Sequence, residues 1–526
     1  MVAASELPID TVREGTTATD MANEIFGDGV TVTGATYFGD IDSAGIYSDG
    51  NATSPGVTPG DTGVILSTGN AEDFTNTYGT SNQSNSTSTS TSGTNNFGQH
   101  NTAAGASTYD AATLDVDFIP DTALMTMQFV FSSEEYPEFT TSQYQDFFGV
   151  WVNGQLVPLS VSNGDTDPGN INTTSNINMY VDNGNDDFNT EMDGFTVTMT
   201  LTMAVNPNVV NSIRIAVADV SDSQYDSNVL IAGNSVQTEL VAVTDAVNVY
   251  PTGTTTLDVL ANDVNNGTST MTITHINGQP ATVGTAITLP TGQQVTLNAD
   301  GTFGVVGDGD IEDFNFTYTV DNGTNTDVGL VNATSIPCFV AGTLIATPQG
   351  RRRVDHLTAG DFVLTKDDGP QPLRWIGSRK VAATGEFAPI HIRANTLGQH
   401  SDLLVSPLHR VLIKDNLAEL LFGKAEVLVA ARDLVNDHTI TRRAGGEVTY
   451  VHLLFDRHQV VFSEGLETEI FLPGPQTAES FEAEVVEEIY SIFLELDPDN
   501  GTGYPPATRR TLKRYEAELL RAAKVA

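Results

Sequence analysis

The sequence predicts a mostly β protein built of several modules, and three observations predict it. Short apolar runs rich in Val, Ile, Thr and Phe recur along the chain, bounded by Gly, Asn, Asp and Pro. Hydrophobic content is only 39% with 47 glycines, which suits many short strands joined by turns. Charge then divides the chain near residue 337. Residues 1–337 hold two basic residues, Arg13 and Arg214, against 41 acidic ones, a net of −39. Residues 338–526 hold 21 basic and 26 acidic, a net of −5, together with seven of the nine histidines and the single cysteine. A chain of 526 residues suits three or four domains at about 150 residues each, and it is long enough for more than one buried core.

Residues 1–240 form the first predicted module, an acidic β-sandwich. Its strands are expected at Leu124–Phe131, Asp146–Val152, Thr196–Val205 and Ser212–Val220, where the apolar pattern alternates or runs continuously. The Ser/Thr/Asn/Gly tract at 79–109 reads as a mobile loop. Residues 241–336 restart the pattern, with strands expected at Thr272–Ile276, Gln294–Leu297 and Asn315–Val320. That length and spacing suit a small β-sandwich of immunoglobulin size. Residues 337–475 are again β-rich, with runs at Phe362–Leu364, Leu403–Val405, Arg410–Ile413 and Val460–Phe462. Residues 476–526 change character, and helical spacing predicts short helices over Thr477–Leu496 and Thr508–Val525.

The field of the first 337 residues argues against nucleic acid and anionic membranes as partners. It favours cations, and calcium in this acidic region is the cofactor to expect if there is one. No stretch approaches 18 consecutive apolar residues, so no membrane span is expected. Met1 to Asp20 lacks a basic and then apolar leader, so an N-terminal signal peptide is not expected. One cysteine excludes internal disulfides.

That cysteine, Cys338, opens the run Cys338-Phe339-Val340-Ala341-Gly342-Thr343-Leu344-Ile345. Ser406-Pro407-Leu408-His409 and Asp456-Arg457-His458 follow downstream. A lone thiol with well-separated histidines is a candidate nucleophile, while an isolated Cys is more often a small buried hydrophobe. The context decides. The segment from Cys338, through Val354 to Thr365, Val405 to Leu412 and Tyr450 to His458, resembles the Hint module shared by Hedgehog autoprocessing domains and inteins. Within that group it is similar to the bacterial Hint-type domain of secreted proteins.

The resemblance implies self-cleavage with no cofactor. The Cys338 thiol would attack the carbonyl carbon of Pro337, breaking the Pro337–Cys338 amide and leaving a thioester. One hard step becomes two easier ones. The thiol must lose a proton, free Cys having a pKa of about 8.5, and the departing nitrogen must gain one. His409 matches the family's histidine that serves the scissile amide. Ser406 stands where the family usually has Thr and keeps the hydroxyl. His458 matches a later-block histidine, with Asp456 as candidate base or orienter for it or for Cys338. The plainer reading of Asp456 and His458 is a strand-end salt bridge. His438 and His452 read as structural. Val460 to Leu466 has no Asn to cyclise where inteins end, so splicing is not expected. The reaction partner is the chain itself, and water, a thiol or an amine remains open as acceptor.

Residues 20 to about 240 resemble the bacterial choice-of-anchor L domain. Phe129 to Phe139, Asp146 to Gly154 and Gly63 to Gly69 carry the likeness. Glu134 and Glu135 in that run are candidate metal ligands, against a β-bulge with solvated carboxylates. Asp258 to Asp263 and Phe316 to Gly323 resemble cadherin-like or immunoglobulin-like adhesin repeats, which act as spacers. The whole reads as a secreted or cell-surface protein, exported without an N-terminal signal through a C-terminal one. Its Hint module would release an acidic, adhesin-like passenger. The alternative is a structural or adhesive surface protein with a silent Hint-like domain.

Overall fold

A computed structural model describes residues 2–470 except 160, 162–163, 165, 250–253, 309–313, 335–338, 384–387, 408, 416, 420–423 and 437; beyond 470 it describes 509–512 and 517. Pro337 and Cys338 lie outside the described residues, as do most of the helices expected after residue 476; where the second is described, Arg510–Thr511 is instead a strand paired parallel with Val427 and Leu428. The chain is mostly β, as its alternation of apolar and turn residues predicts.

The first module packs two sheets face to face. In one, Leu124–Ser133 lies between Ser227–Ala232 and the pair Gly194–Thr196 and Met199–Ala204. In the other the order is Val30–Phe38, Thr108–Pro120, Asn211–Val220, Phe147–Val152 and Gln155–Leu156, antiparallel throughout. Period-two alternation sorts the side chains. Leu114, Val116, Phe118, Ile213, Ile215 and Val217 point inward and meet Phe129, Phe131, Val229 and Ile231 from the opposite sheet. Such burial, worth about 1.5–3 kcal/mol per large side chain, holds the sandwich together.

The tract at 79–109 departs from its expected loop. It contains a helix, Gly98–Ala104, and its Ser/Thr run lies along acidic side chains. Thr89 N–H donates to Asp226 Oδ1 at 2.8 Å, Thr91 N–H to Asp110 Oδ2 at 3.2 Å, and Ser92 N–H to Asp40 Oδ2 at 2.9 Å. The carboxylates supply the acceptors that a sequence window cannot see.

Residues 245–334 carry a five-stranded and a four-stranded sheet around Phe303, Phe316, Tyr318 and Val295. The buried Asp327 ties them to the first module. Its Oδ1 accepts from the Thr126 and Thr200 hydroxyls at 3.0 and 3.1 Å, and its Oδ2 from Ala242 N–H at 2.8 Å.

From Phe339 onward the chain builds two further sheets. The six-stranded one runs Trp375–Ala382, Glu447–Leu454, Phe339–Val340, Leu403–Val405, Ile390–Ile392 and Ile440–Arg442. The other includes Leu344–Thr347, Val460–Ser463, Leu466–Glu469, Arg410–Lys414 and Glu426–Ala430. The chain passes between these sheets at residues 406–409 and again at 455–459, and both crossings carry the histidines singled out above.

Candidate active site

The site is built around Phe339, which the peptide bond joins to Cys338. Phe339 sits mid-sheet, opposite Val451 on one side and Val405 on the other. Its side chain is fully buried, and its ring centroid lies 4.3 Å from that of His409. Ala341 N–H donates to Thr449 O at 2.8 Å, pinning the start of the module.

His409 is placed by a turn. His409 N–H donates to Ser406 O at 3.0 Å, with Pro407 second in the turn, where its fixed φ favours the bend. Ala431 N–H reaches His409 O at 3.0 Å and Arg432 N–H reaches Pro407 O at 2.8 Å. Ser406 and His409 are both buried. The Ser-Pro-Leu-His spacing is therefore the geometry of a corner, where the chain leaves one sheet and enters the other.

His458 occupies the second crossing and is fully buried, with its Nε2 3.5 Å from Glu469 Oε2. Glu469 also accepts from Arg410 N–H at 3.1 Å and from Arg410 Nη1 at 3.2 Å. Burial pushes the Glu469 carboxyl up; Arg410, the hydrogen bond and charge of His458, and the charge of His409 outweigh it and hold the group below its usual range. Glu469 thus joins the two crossings. Replacing one member of a buried ion pair leaves the other uncompensated. Glu469→Gln is expected to cost about 3 kcal/mol, read as a lowered unfolding midpoint of this module.

The structure brings His409, His458 and Phe339 into one seam. Asp456 goes elsewhere: its side chain is 52% exposed and its Oδ1 lies 3.2 Å from Arg374 Nε. The carboxylate that meets His458 is Glu469, which the sequence reading did not single out. His452 is buried on Glu447–Leu454, and His438 lies exposed in the turn that Asn436 closes.

In the first module Glu134 and Glu135 are each 1% exposed, so they are not solvated carboxylates. They join a set of buried acids at one end of the sandwich. Asp146 Oδ1 accepts from Val220 N–H at 3.1 Å and its Oδ2 from Ser227 Oγ at 2.6 Å. Ser227 Oγ lies 2.8 Å from Ser133 Oγ, and Ser133 Oγ accepts from Glu135 N–H at 2.9 Å. Burial raises the carboxyls of Glu134 and Glu135 to about 9. It raises Asp226 to about 7 and pushes Asp146 and Asp219 well above the usual range. The two basic residues of this half are spent elsewhere, Arg13 on Asp42 and Arg214 on Asp115. Among the described residues no three His, Cys, Asp or Glu side chains converge as metal ligands would.

Comparison with known families fits this division. Residues 337–475 match the Hint domain and residues 9–237 the choice-of-anchor L domain. The chain joins a choice-of-anchor L domain to a Hint domain. Among solved structures, a crystal structure of the gp41-1 intein superposes with a TM-score of 0.17 at 11% identity, covering 25% of this chain and 97% of that one. The BSP domain of a biofilm associated protein superposes at 0.11 and 8% identity, covering 69% and 63%. No curated protein is detectably similar. At the level of the family, the Hint match supports self-processing. The choice-of-anchor domain suggests a surface or secreted protein. Among the described residues no helix is long and apolar enough to cross a membrane.

Proposed function

We propose that the Hint domain cleaves its own chain at Pro337–Cys338. The Cys338 sulfur attacks the Pro337 carbonyl carbon, the C–N bond breaks, and the departing nitrogen takes a proton to become the Cys338 amino group. Water, or another thiol or amine, then displaces the sulfur and releases residues 1–337 with their acidic passenger from the surface or secreted protein. The reaction is intramolecular, so proximity supplies much of the rate. His409 is the proton donor to the leaving nitrogen. His458 and Glu469 are positioning residues. Ser406 orients the turn, and Asp456, paired with Arg374, lies on the solvent side. Residues 241–336 act as a spacer.

The observation that carries this reading is the packing of His409 on Phe339, the residue that follows Cys338 in the chain. The test is the intact mass of freshly purified protein, with and without an added small thiol. A fragment beginning at Cys338, appearing faster with thiol, supports the mechanism. A chain that stays whole for days under both conditions would leave the Hint domain a silent structural unit.

A further inference from the structure

The outer face of the five-stranded sheet in the first module carries an aromatic recess that self-cleavage does not use. Along Phe147–Val152 the residues Phe147, Gly149 and Trp151 alternate outward. A side chain at Gly149 would run into the Phe147 and Trp151 rings. Helix Gly98–Ala104 lays His100 onto Trp151, with centroids 5.5 Å apart at 25°. Phe97 meets His100 edge-on at 4.8 Å. The Arg214 guanidinium stands 4.9 Å over the Phe97 ring.

Arg214 is locked in plane by its neighbours. Its Nε and Nη2 donate to Asp115 Oδ1 and Oδ2 at 2.8 and 2.6 Å, and its Nη1 to Gln99 Oε1 at 2.7 Å. A recess of about 460 Å³ opens over Thr36, Phe38, Asp115, Trp151, Ser212 and Arg214. A smaller one of about 110 Å³ adjoins it at Phe38 and Arg214 and reaches His100. Two further features point to a ligand. Phe38 is 48% exposed at the mouth. His100 is 1% exposed, yet neither ring nitrogen has a hydrogen-bond partner among the described residues.

We propose that this recess binds a neutral saccharide. The combination of an apolar ring face with planar, pre-oriented polar groups matches a sugar ring, which has an apolar C–H face and an equatorial rim of hydroxyls. A hydroxyl both donates and accepts, as the two free nitrogens of a neutral imidazole require. Burial, then the nearby Arg214, lowers His100 to about 4, so it is neutral at ordinary pH. Charge selects the rest. The −39 field of residues 1–337 repels anions, and the one basic group of the wall, Arg214, is already paired with Asp115, so no free cation waits there for an anionic ligand.

The test is calorimetric titration of the full chain with cellobiose, maltose and N,N′-diacetylchitobiose, and with glucuronate and choline as charged probes. Saturable binding of at least one neutral disaccharide is expected, with a Kd on the order of 1 mM. Phe38→Ala, which removes a half-exposed side chain, should weaken it about tenfold. Thr36→Trp, which fills the mouth, guards against a folding effect and should abolish it. The proposal is overturned if no neutral disaccharide binds, if only choline or glucuronate binds, or if both variants bind as the wild type does.

Discussion

Cys338→Ala is expected to abolish release of the acidic half altogether, leaving a single species of 56.0 kDa where the wild type yields two fragments. The size of the effect follows from chemistry. Without the sulfur there is no thioester, and the Pro337–Cys338 amide must await direct attack by water. Rate enhancements of enzymes over such uncatalysed references are about 10⁶-fold or more. His409→Ala should act differently. It leaves the nucleophile and removes the proton donor, so cleavage should slow by about 10²–10⁴-fold and still depend on thiol. Glu469→Gln belongs to a third class, lowering stability first and rate only through misplaced His458. Mass spectra over a time course separate the three. Equal slowing by Cys338→Ala and Asp456→Ala would count against the assignment, because Asp456 faces solvent beside Arg374.

The parts of this site that were legible in the sequence are those with local causes. Strands such as Thr272–Ile276 and Leu403–Val405 fall where their apolar runs place them, because alternation is set by the pleat. Ser406 and His409 were picked out only by resemblance to a family motif; the turn that places them comes from the structure. Glu469 was not legible. In Leu466–Ile470 alternation puts Glu467 and Glu469 on one face, which reads as solvated. Glu467 does stay near the surface with Lys366 and Lys414, whereas Glu469 at the strand end turns in to Arg410 and His458. The recess over Trp151 was equally hidden, since it unites residues 36–38, 97–100, 113–117, 151 and 212–214 from four strands and a helix. Its helix lay inside a tract that composition reads as loop.

The two conserving forces of charge in this chain should give its modules opposite responses to pH. In the first module the buried acids have folded pKa values raised above their unfolded ones, to about 9 at Glu134 and Glu135, about 7 at Asp226 and about 6 at Asp193. Their contribution is fully present below the unfolded pKa and is lost as pH rises through the folded values. The window runs from about pH 4 to pH 9. Each group that stays protonated while its unfolded counterpart ionises costs about 1.4 kcal/mol per pH unit. Between pH 5 and 8 a single such group costs about 4 kcal/mol, or a midpoint shift of roughly 10 °C for a module of this size. Glu469 runs the other way. Its folded pKa is depressed, so its contribution is present above the unfolded value and lost as pH falls through the folded one. Scanning calorimetry of the full chain should show one transition that falls from pH 5 to 8 and another that falls only in acid. Glu135→Gln should make the first fall less steeply and leave the second, and Glu469→Gln should ease only the acid fall of the second. The buried acids of the first module would have to be ionised and compensated, contrary to this account, if its midpoint rose steadily from pH 5 to 8.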